Sequence, residues 1–325
     1  MTASSRRPAA AALLGLMLGL AAVPLAIAGP SSDHAPARPG FLVRNLVSDD
    51  VRANPALHQD PHLVNAWGLA FAAASPAWVA NADSGVSTVY DGNGNALPPG
   101  HPLVVTIPGG APTGLVANPT GLFKVKEGRM RGVSLFLFAS EAGKITGWAP
   151  GVALTRAIVA YSAPNTIYKG LALVAGGSTA FLYATDFHNA KIDVFDGAFK
   201  PIHPPGGFVD PAIPSGFAPF GIRNLGGKLY VTYAKQDAAG EDDVAGPHLG
   251  YVDVFDPAGH LLAHLVARGL LNAPWGLAIA PAGFGRLDGA LLVGNFGDGT
   301  INAYDPATGA FRSSLSDTSG RRLMI

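Results

Sequence analysis

The sequence contains no cysteine, so a disulfide framework, a thiolate metal site and a thiol nucleophile are all closed to it. Charge is sparse and evenly matched, with 22 Lys and Arg against 22 Asp and Glu in 325 residues. A net charge of zero argues against nucleic acid or an anionic membrane as partner, because both select a basic surface. A neutral small molecule or a protein is the better fit. Catalytic signatures are missing as well: there is no Gly-x-Ser-x-Gly elbow, no phosphate-binding loop and no His-Glu-x-x-His. Few stretches carry a helical pattern. The chain has instead 42 Gly and 27 Pro, a composition that many short strands joined by tight turns require.

One long apolar run is present, at the N-terminus. Arg6 and Arg7 precede an uncharged stretch over residues 8–28 that ends in the small-x-small step Ala26-Ile27-Ala28, the form of a Sec-type signal peptide with cleavage near Ala28. Pro24, Gly15 and Gly19 weaken the rival reading of an uncleaved anchor. Residues 1–28 are therefore expected to be a signal peptide, 29–40 a disordered leader and 41–325 one domain, secreted or periplasmic, with no membrane span after cleavage. An exported chain without disulfides has to draw its stability from sheet packing.

A glycine-centred phrase at the entrance of an apolar strand occurs five times: Asn65-Ala-Trp-Gly-Leu-Ala-Phe71, Ala111-Pro-Thr-Gly-Leu-Val-Ala117, Ile167-Tyr-Lys-Gly-Leu-Ala-Leu173, Ala218-Pro-Phe-Gly-Ile-Arg-Asn224 and Ala273-Pro-Trp-Gly-Leu-Ala-Ile279. The marker glycines Gly68, Gly114, Gly170, Gly221 and Gly276 stand 46 to 56 residues apart, a spacing that suits a four-stranded propeller blade with variable loops. Each phrase is followed by a second short strand, a polar turn and an alternating strand that ends at or near an acid, as in Leu182-Tyr-Ala-Thr and then Lys191-Ile-Asp-Val-Phe-Asp196. Period-two alternation with Asp-Gly or Asp-Pro steps is a strand-and-turn signal. The expected fold is all-β: a β-propeller of four-stranded antiparallel blades with five full repeats. Phe41–Val47 is expected to add a strand that completes the last blade and buries its edge, and Ala310–Leu315 to supply a further strand near the C-terminus. The residues alone leave open a five-bladed ring or a six-bladed ring with an incomplete last blade.

Six segments lie in register with a known group: Asp60–Phe71, Gly85–Gly94, Tyr168–Ala172, Ala184–Asp196, Gly227–Asp237 and Leu292–Gly299. On these the chain resembles the TIGR03118 family, exported bacterial proteins of no established function that are related in fold to NHL-type propellers. Members of that family continue past the position of Ile325 into another blade entrance. The resemblance thus implies a six-bladed ring whose last blade is incomplete here.

In a propeller the turns between the second and third strands of each blade, and the loops that enter each blade, emerge on one face around the axis. The first set offers Asp83, Glu141, Asp186 with His188 and Asn189, Gln236 with Asp237, and Asn295 with Asp298. The second offers Asn65, Trp67, Thr113, Lys169, Phe220, Asn272 and Trp275. Carboxylates and amides around a channel mouth would suit Ca2+ or another divalent cation, with Asp186, Asp237, Asp298 and Asp242 as candidate ligands. A metal-dependent hydrolase or lyase, lactonase-like, would work there through Asp186, His188, Asp237 and Asn295, with Lys169 as an anion or carbonyl contact. Asp83, Glu141, Asn189, Asn295, Trp67 and Trp275 are the candidate ligand-binding residues. Turn chemistry by itself also favours Asp and Asn at such positions, and inter-blade packing accounts for tryptophans at a repeated position. The fourth repeat carries a long insert between Tyr233 and Tyr251 that includes Asp237, Glu241, Asp242 and Asp243, read either as a binding loop or as a solvated acidic loop. His260 and His264 are expected on the wet face of an outer strand. The leading functional expectation is a binding or scaffold module, with the hydrolase as the alternative.

Overall fold

A computed structural model describes residues 40–73 and 75–325; the expected signal peptide and nearly all of the leader lie outside them. Five four-stranded antiparallel sheets follow one another along the chain, each meandering from an inner strand a to an outer strand d. The first blade is built from Ala66–Ala70, Ala77–Asn81, Val86–Tyr90 and Val104–Thr106. The second uses Pro112–Ala117, Phe136–Ser140, Lys144–Trp148 and Ile158–Ser162. It also carries a two-stranded hairpin, Lys124–Glu127 with Met130–Val133, between its first two strands. Tyr168–Gly176, Thr179–Asp186, Lys191–Phe195 and Pro201–Ile202 form the third. Phe217–Leu225, Lys228–Lys235, Tyr251–Phe255 and Leu261–Ala267 form the fourth. The fifth consists of Pro274–Ile279, Leu291–Asn295, Ile301–Tyr304 and Phe311–Ser314. Among the described residues the only helical element is one 3-10 turn, Gly285–Leu287.

The repeated phrase is an inter-blade joint. Its glycine forms part of strand a, and the inner strands of successive blades pack against one another from the first blade through to the fifth. A methyl group on Gly114 would stand 2.6 Å from Leu171 Cβ and 2.7 Å from Leu171 N, and one on Gly170 would stand 2.8 Å from the Phe220 carbonyl oxygen. The backbones thus approach more closely than a side chain permits, which is why the position is glycine. The residue after the glycine fills the space from the other side: Leu115, Leu171, Ile222 and Leu277 are all buried against the preceding blade. Polar ties cross the same joints. The Thr113 hydroxyl donates to the Tyr168 carbonyl at 2.7 Å, and the Thr185 hydroxyl to the Phe220 carbonyl at 2.8 Å.

Between the fifth and first blades the pattern changes. Gly276 meets only Gly294 of its own blade, at 3.7 Å, and Leu69, the first blade's counterpart of Leu171, is 42% exposed. Aromatic contacts bridge this seam at the rim: the Trp67 ring lies 5.4 Å from Trp275 and 4.8 Å from Phe296. The expected strand over Phe41–Val47 is not continuous. Phe41 bridges Asp317 and stacks near Phe284, while Val47–Ser48 pairs in parallel with His58–Gln59. The described residues therefore make five blades, and among them Phe41 joins the N-terminal segment to the chain just beyond the fifth blade's last strand.

Apolar clusters lie between neighbouring sheets, as the alternation demands. One joins the first and second blades through Trp78, Val89, Phe136, Phe138 and Trp148. Another joins the third and fourth through Tyr183, Val194, Leu229, Val231 and Phe255. At roughly 25 cal/mol per Å² of apolar area, such faces supply the stability that a cysteine-free chain cannot obtain from cross-links.

Candidate functional site at the axial mouth

Two positions in each blade converge at one end of the axis. The first immediately precedes the phrase glycine, giving Trp67, Thr113, Lys169, Phe220 and Trp275 in blade order. The second follows strand b, giving Ala82, Glu141, Phe187, Gln236 and Phe296. Most of these side chains are apolar and pack on one another. Trp67 meets Phe220 edge-on at 5.9 Å, and Phe220 meets Phe187 at 5.2 Å and Phe296 at 6.0 Å. The Trp275 indole N–H reaches across to the Lys169 carbonyl at 2.9 Å. The mouth is therefore closed by an aromatic plug that ties the fifth blade to the third.

Lys169 is the one cation within this plug. It is 2% exposed, and its Nζ lies 2.5 Å from Glu141 Oε1 of the second blade and 3.1 Å from Asp242 Oδ1 of the fourth-blade insert. The Trp67 and Phe187 rings flank it at 5.5 and 5.9 Å. A buried ammonium costs several kcal/mol unless it is paired, and aromatic faces contribute about 1–2 kcal/mol more where water is excluded. The two counter-ions differ in kind: Glu141 is 33% exposed, whereas Asp242 is 76% exposed and rides on a loop.

That loop, the insert over residues 236–250, folds back over the mouth. Gln236 Nε2 donates to the Phe187 carbonyl at 2.6 Å, His188 Nδ1 lies 3.2 Å from the Gly240 carbonyl, and Gln236 bridges Asp243. Asp237 turns inward on its own loop, where its carboxylate accepts the Glu241 N–H at 2.9 Å; backbone N–H groups hold its carboxyl below the usual range. Asp243 sits half-buried near Lys169. Burial pushes its carboxyl up, with Lys169 opposing and Asp242 adding to the rise.

Other predicted residues are held apart from this cluster. Asp186 is fully buried and caps its own turn, accepting from the Asn189 backbone N–H at 3.2 Å and the Asn189 side chain at 2.7 Å. Asp83 accepts from Asn65, whose side-chain oxygen accepts the Trp67 indole N–H. Asn295 donates to the Leu270 carbonyl and to Thr300. Asp298 accepts from Thr300 and Asn272; burial pushes its carboxyl up, and these hydrogen bonds outweigh it, leaving the group below the usual range. Asp186, Asp237, Asp298 and Asp242 do not assemble as a ligand set among the described residues. Likewise, no hydrogen bond or ion pair links Asp186, His188, Asp237 and Asn295 to one another. The structure joins Lys169 with Glu141, Asp242 and the two aromatics instead.

Phe187 and Phe296 are not singled out by the sequence, and Asp243 is marked there only as one of the acids of the insert. The signal for the first two is their register: each stands one residue beyond strand b, where the second blade has Glu141.

No family model matches the chain. It is similar to uncharacterized protein R648 of Acanthamoeba polyphaga mimivirus, 35% identical over 296 residues that cover 88% of this chain and 72% of the relative. It is also similar to uncharacterized protein L690 of the same virus, 32% identical over 293 residues, covering 85% and 74%. Among solved structures it is similar to a chain of a nidogen/laminin complex, with a TM-score of 0.51 at 15% identity, covering 81% of this chain and 84% of that one. A virginiamycin B lyase from Staphylococcus aureus gives a TM-score of 0.49 at 13% identity, covering 77% and 69%. At such identities the nidogen/laminin match bears on the fold alone, which it supports as a β-propeller. None of the described helices is long and apolar enough to cross a membrane.

Proposed function

This chain belongs to the family of the uncharacterized mimivirus proteins R648 and L690, and we propose that it is an exported binding module whose ligand site is the axial mouth over Lys169. The observation that carries the reading is a buried ammonium with one counter-ion on the rigid rim and the other on a loop. When the 236–250 loop lifts, it takes Asp242 away and leaves a Lys169–Glu141 pair with no net charge, set between the Trp67 and Phe187 rings. A donor and an acceptor beside apolar ring faces match a neutral polyhydroxylated molecule such as a saccharide, whose hydroxyls bond the pair while its C–H face lies on the rings. The balanced charge of the whole chain supports a neutral ligand. Export is supported by the apolar run after Arg6 and Arg7, and the resemblance to the TIGR03118 family points the same way. The hydrolase alternative has less support, because its four residues do not converge.

The test is a saccharide panel read by thermal shift and then by calorimetry on the purified protein. A hit bound at least tenfold more weakly by Lys169→Met and by Trp67→Ala, yet bound as well or better by Asp242→Ala, would support the site. Affinity unchanged in both Lys169→Met and Trp67→Ala would remove the mouth as the site.

A further inference from the structure

A buried charge imbalance lies between the third and fourth blades, away from the axial mouth. The middle residue of strand c is Thr88, Thr146, Asp193, Asp253 and Asn302 in the five blades. Two of these are carboxylates, and the blades treat them differently. In the third blade Asp193 is neutralised within its own sheet: Lys191 Nζ lies 2.6 Å from Oδ1, and the Tyr168 hydroxyl donates to Oδ2 at 2.8 Å.

In the fourth blade the register position of Lys191 is held by Tyr251, and among the described residues no ammonium or guanidinium pairs with Asp253, which is 0% exposed. A second carboxylate arrives in its place. Asp210, on the connection between the third and fourth blades, has a side chain only 2% exposed. His264 Nδ1 of strand d stands 2.7 Å from Asp210 Oδ2 and 2.9 Å from Asp253 Oδ1. One imidazole N–H cannot satisfy two carboxylates, and Asp253 Oδ2 is left with no partner at all. Beside it, the Tyr233 hydroxyl is also buried and unpartnered, close enough to feel the Asp253 charge yet without a hydrogen bond of normal geometry. Burial, followed by the charge of Asp210, pushes the Asp253 carboxyl up to about 7. His264 lies on the exposed face that the sequence leads one to expect, and its Nδ1 turns inward to the two carboxylates at the blade joint.

We propose that Asp210, Asp253 and His264 form a binding site for a divalent cation of the zinc class. Their donor atoms all lie within 4.8 Å of one another. One imidazole nitrogen with two carboxylate oxygens is a donor set that zinc and its neighbours accept, whereas calcium would ask for six to eight oxygens. A cation here does for Asp253 what Lys191 does for Asp193, and it also neutralises Asp210. The Tyr233 hydroxyl beside Asp253, also unpartnered, would orient the carboxylate on turning to donate to the remaining Asp253 oxygen. The partly exposed His264 side chain, 29% accessible, leaves a path from solvent and room for a water on the metal. Bound there, the ion links the outer strand of the fourth blade to the chain entering it, a cross-link in a protein that has no disulfides.

The experiment uses the full chain, stripped with chelator and titrated with Zn2+ by calorimetry, with metal content measured after desalting. The expected result is one zinc per chain and a melting temperature raised by about 5 °C at saturation. His264→Ala and Asp210→Asn should each weaken binding by about 100-fold or more, while His260→Ala, on the same blade, leaves it unchanged. Both informative variants alter groups at the edge of the joint, and circular dichroism confirms that they fold; Asp253→Asn is the third arm. Failure to retain zinc, or an affinity in both His264→Ala and Asp210→Asn unchanged from the parent's, overturns the proposal. So does an Asp253→Asn variant that melts higher than the parent at neutral pH while the parent takes up no zinc, the behaviour of a proton-sharing cluster.

Discussion

Adding one methyl group at the same place in two repeats should give opposite results. At Gly221 a Cβ would overlap the Trp275 carbonyl oxygen outright and stand 2.9 Å from both the Trp275 carbonyl carbon and Thr232 Oγ1. The Trp275 backbone belongs to the next blade's inner strand, and Thr232 Oγ1 already accepts the Gly221 N–H at 2.8 Å, so neither neighbour can swing aside. Restoring ordinary contact requires the inner strands to part by about 1 Å, and overpacking of that kind costs roughly 1–3 kcal/mol or more. At Gly276 the nearest atom to the new methyl is Gly294 Cα at 3.7 Å, an ordinary contact. There the substitution only removes the entropic penalty of glycine in a strand, a gain of about 0.5–1 kcal/mol. With about 2–4 °C of melting temperature per kcal/mol for a domain approaching this size, Gly221→Ala should melt about 5 °C below the parent, and Gly276→Ala at or slightly above it. Scanning calorimetry on both variants, with urea midpoints as a second measure, decides the matter. Equal melting temperatures, or Gly276→Ala as the less stable variant, would refute the claim that these glycines exist to let one blade's backbone approach the next.

Lys169→Met should destabilise the fold by about 1–2 kcal/mol, below the cost typical of breaking a fully buried pair because Glu141 keeps some access to water. Adding Glu141→Gln should recover part of the loss, which a double-mutant cycle in urea measures directly. The Asp305 carboxyl, held by the Arg312 guanidinium at 2.5 Å and by the Ala307 and Thr308 N–H groups, is lowered to about 2. Its ionised form is thus the one favoured by folding, so its contribution to stability is present above the ordinary range near pH 4 and disappears as pH falls through 2. Carbon-detected NMR titration should place Asp305 near 2 in the parent and closer to the ordinary value in Arg312→Ala; an unchanged midpoint would contradict the assignment.

The repeated phrase and the alternating strand with its acid are local patterns, set by the pleat and by the turns, so the five blades and their internal strand order can be read in the sequence from Asn65 to Leu315 without reference to anything distant. The same locality explains what escaped. The strand expected over Phe41–Val47 is apolar enough for one, but it pairs only at its two ends, Phe41 with Asp317 and Val47 with His58. Asp83, Asp186 and Asp298 were legible as turn residues and also as ligands, and each is occupied by hydrogen bonds within or beside its own turn. Lys169 stood out as a charge at an otherwise mostly apolar repeat position. Its partners, Glu141 and Asp242, are 28 and 73 residues away, and only the ring brings them to it. The Asp253 cluster had a faint local trace, a carboxylate in the core-facing phase of Tyr251-Val-Asp-Val-Phe255.

The sequence by itself determined the unit, a four-stranded sheet with a glycine where its neighbour must come close, because hydrogen-bonded pleating and turn preference act over a few residues. Tertiary structure alone decided which charges meet. Coulomb attraction and desolvation act through space, and wrapping the sheets about an axis places a lysine of one blade between the acids of two others, and a carboxylate of a connecting loop beside one buried in a strand.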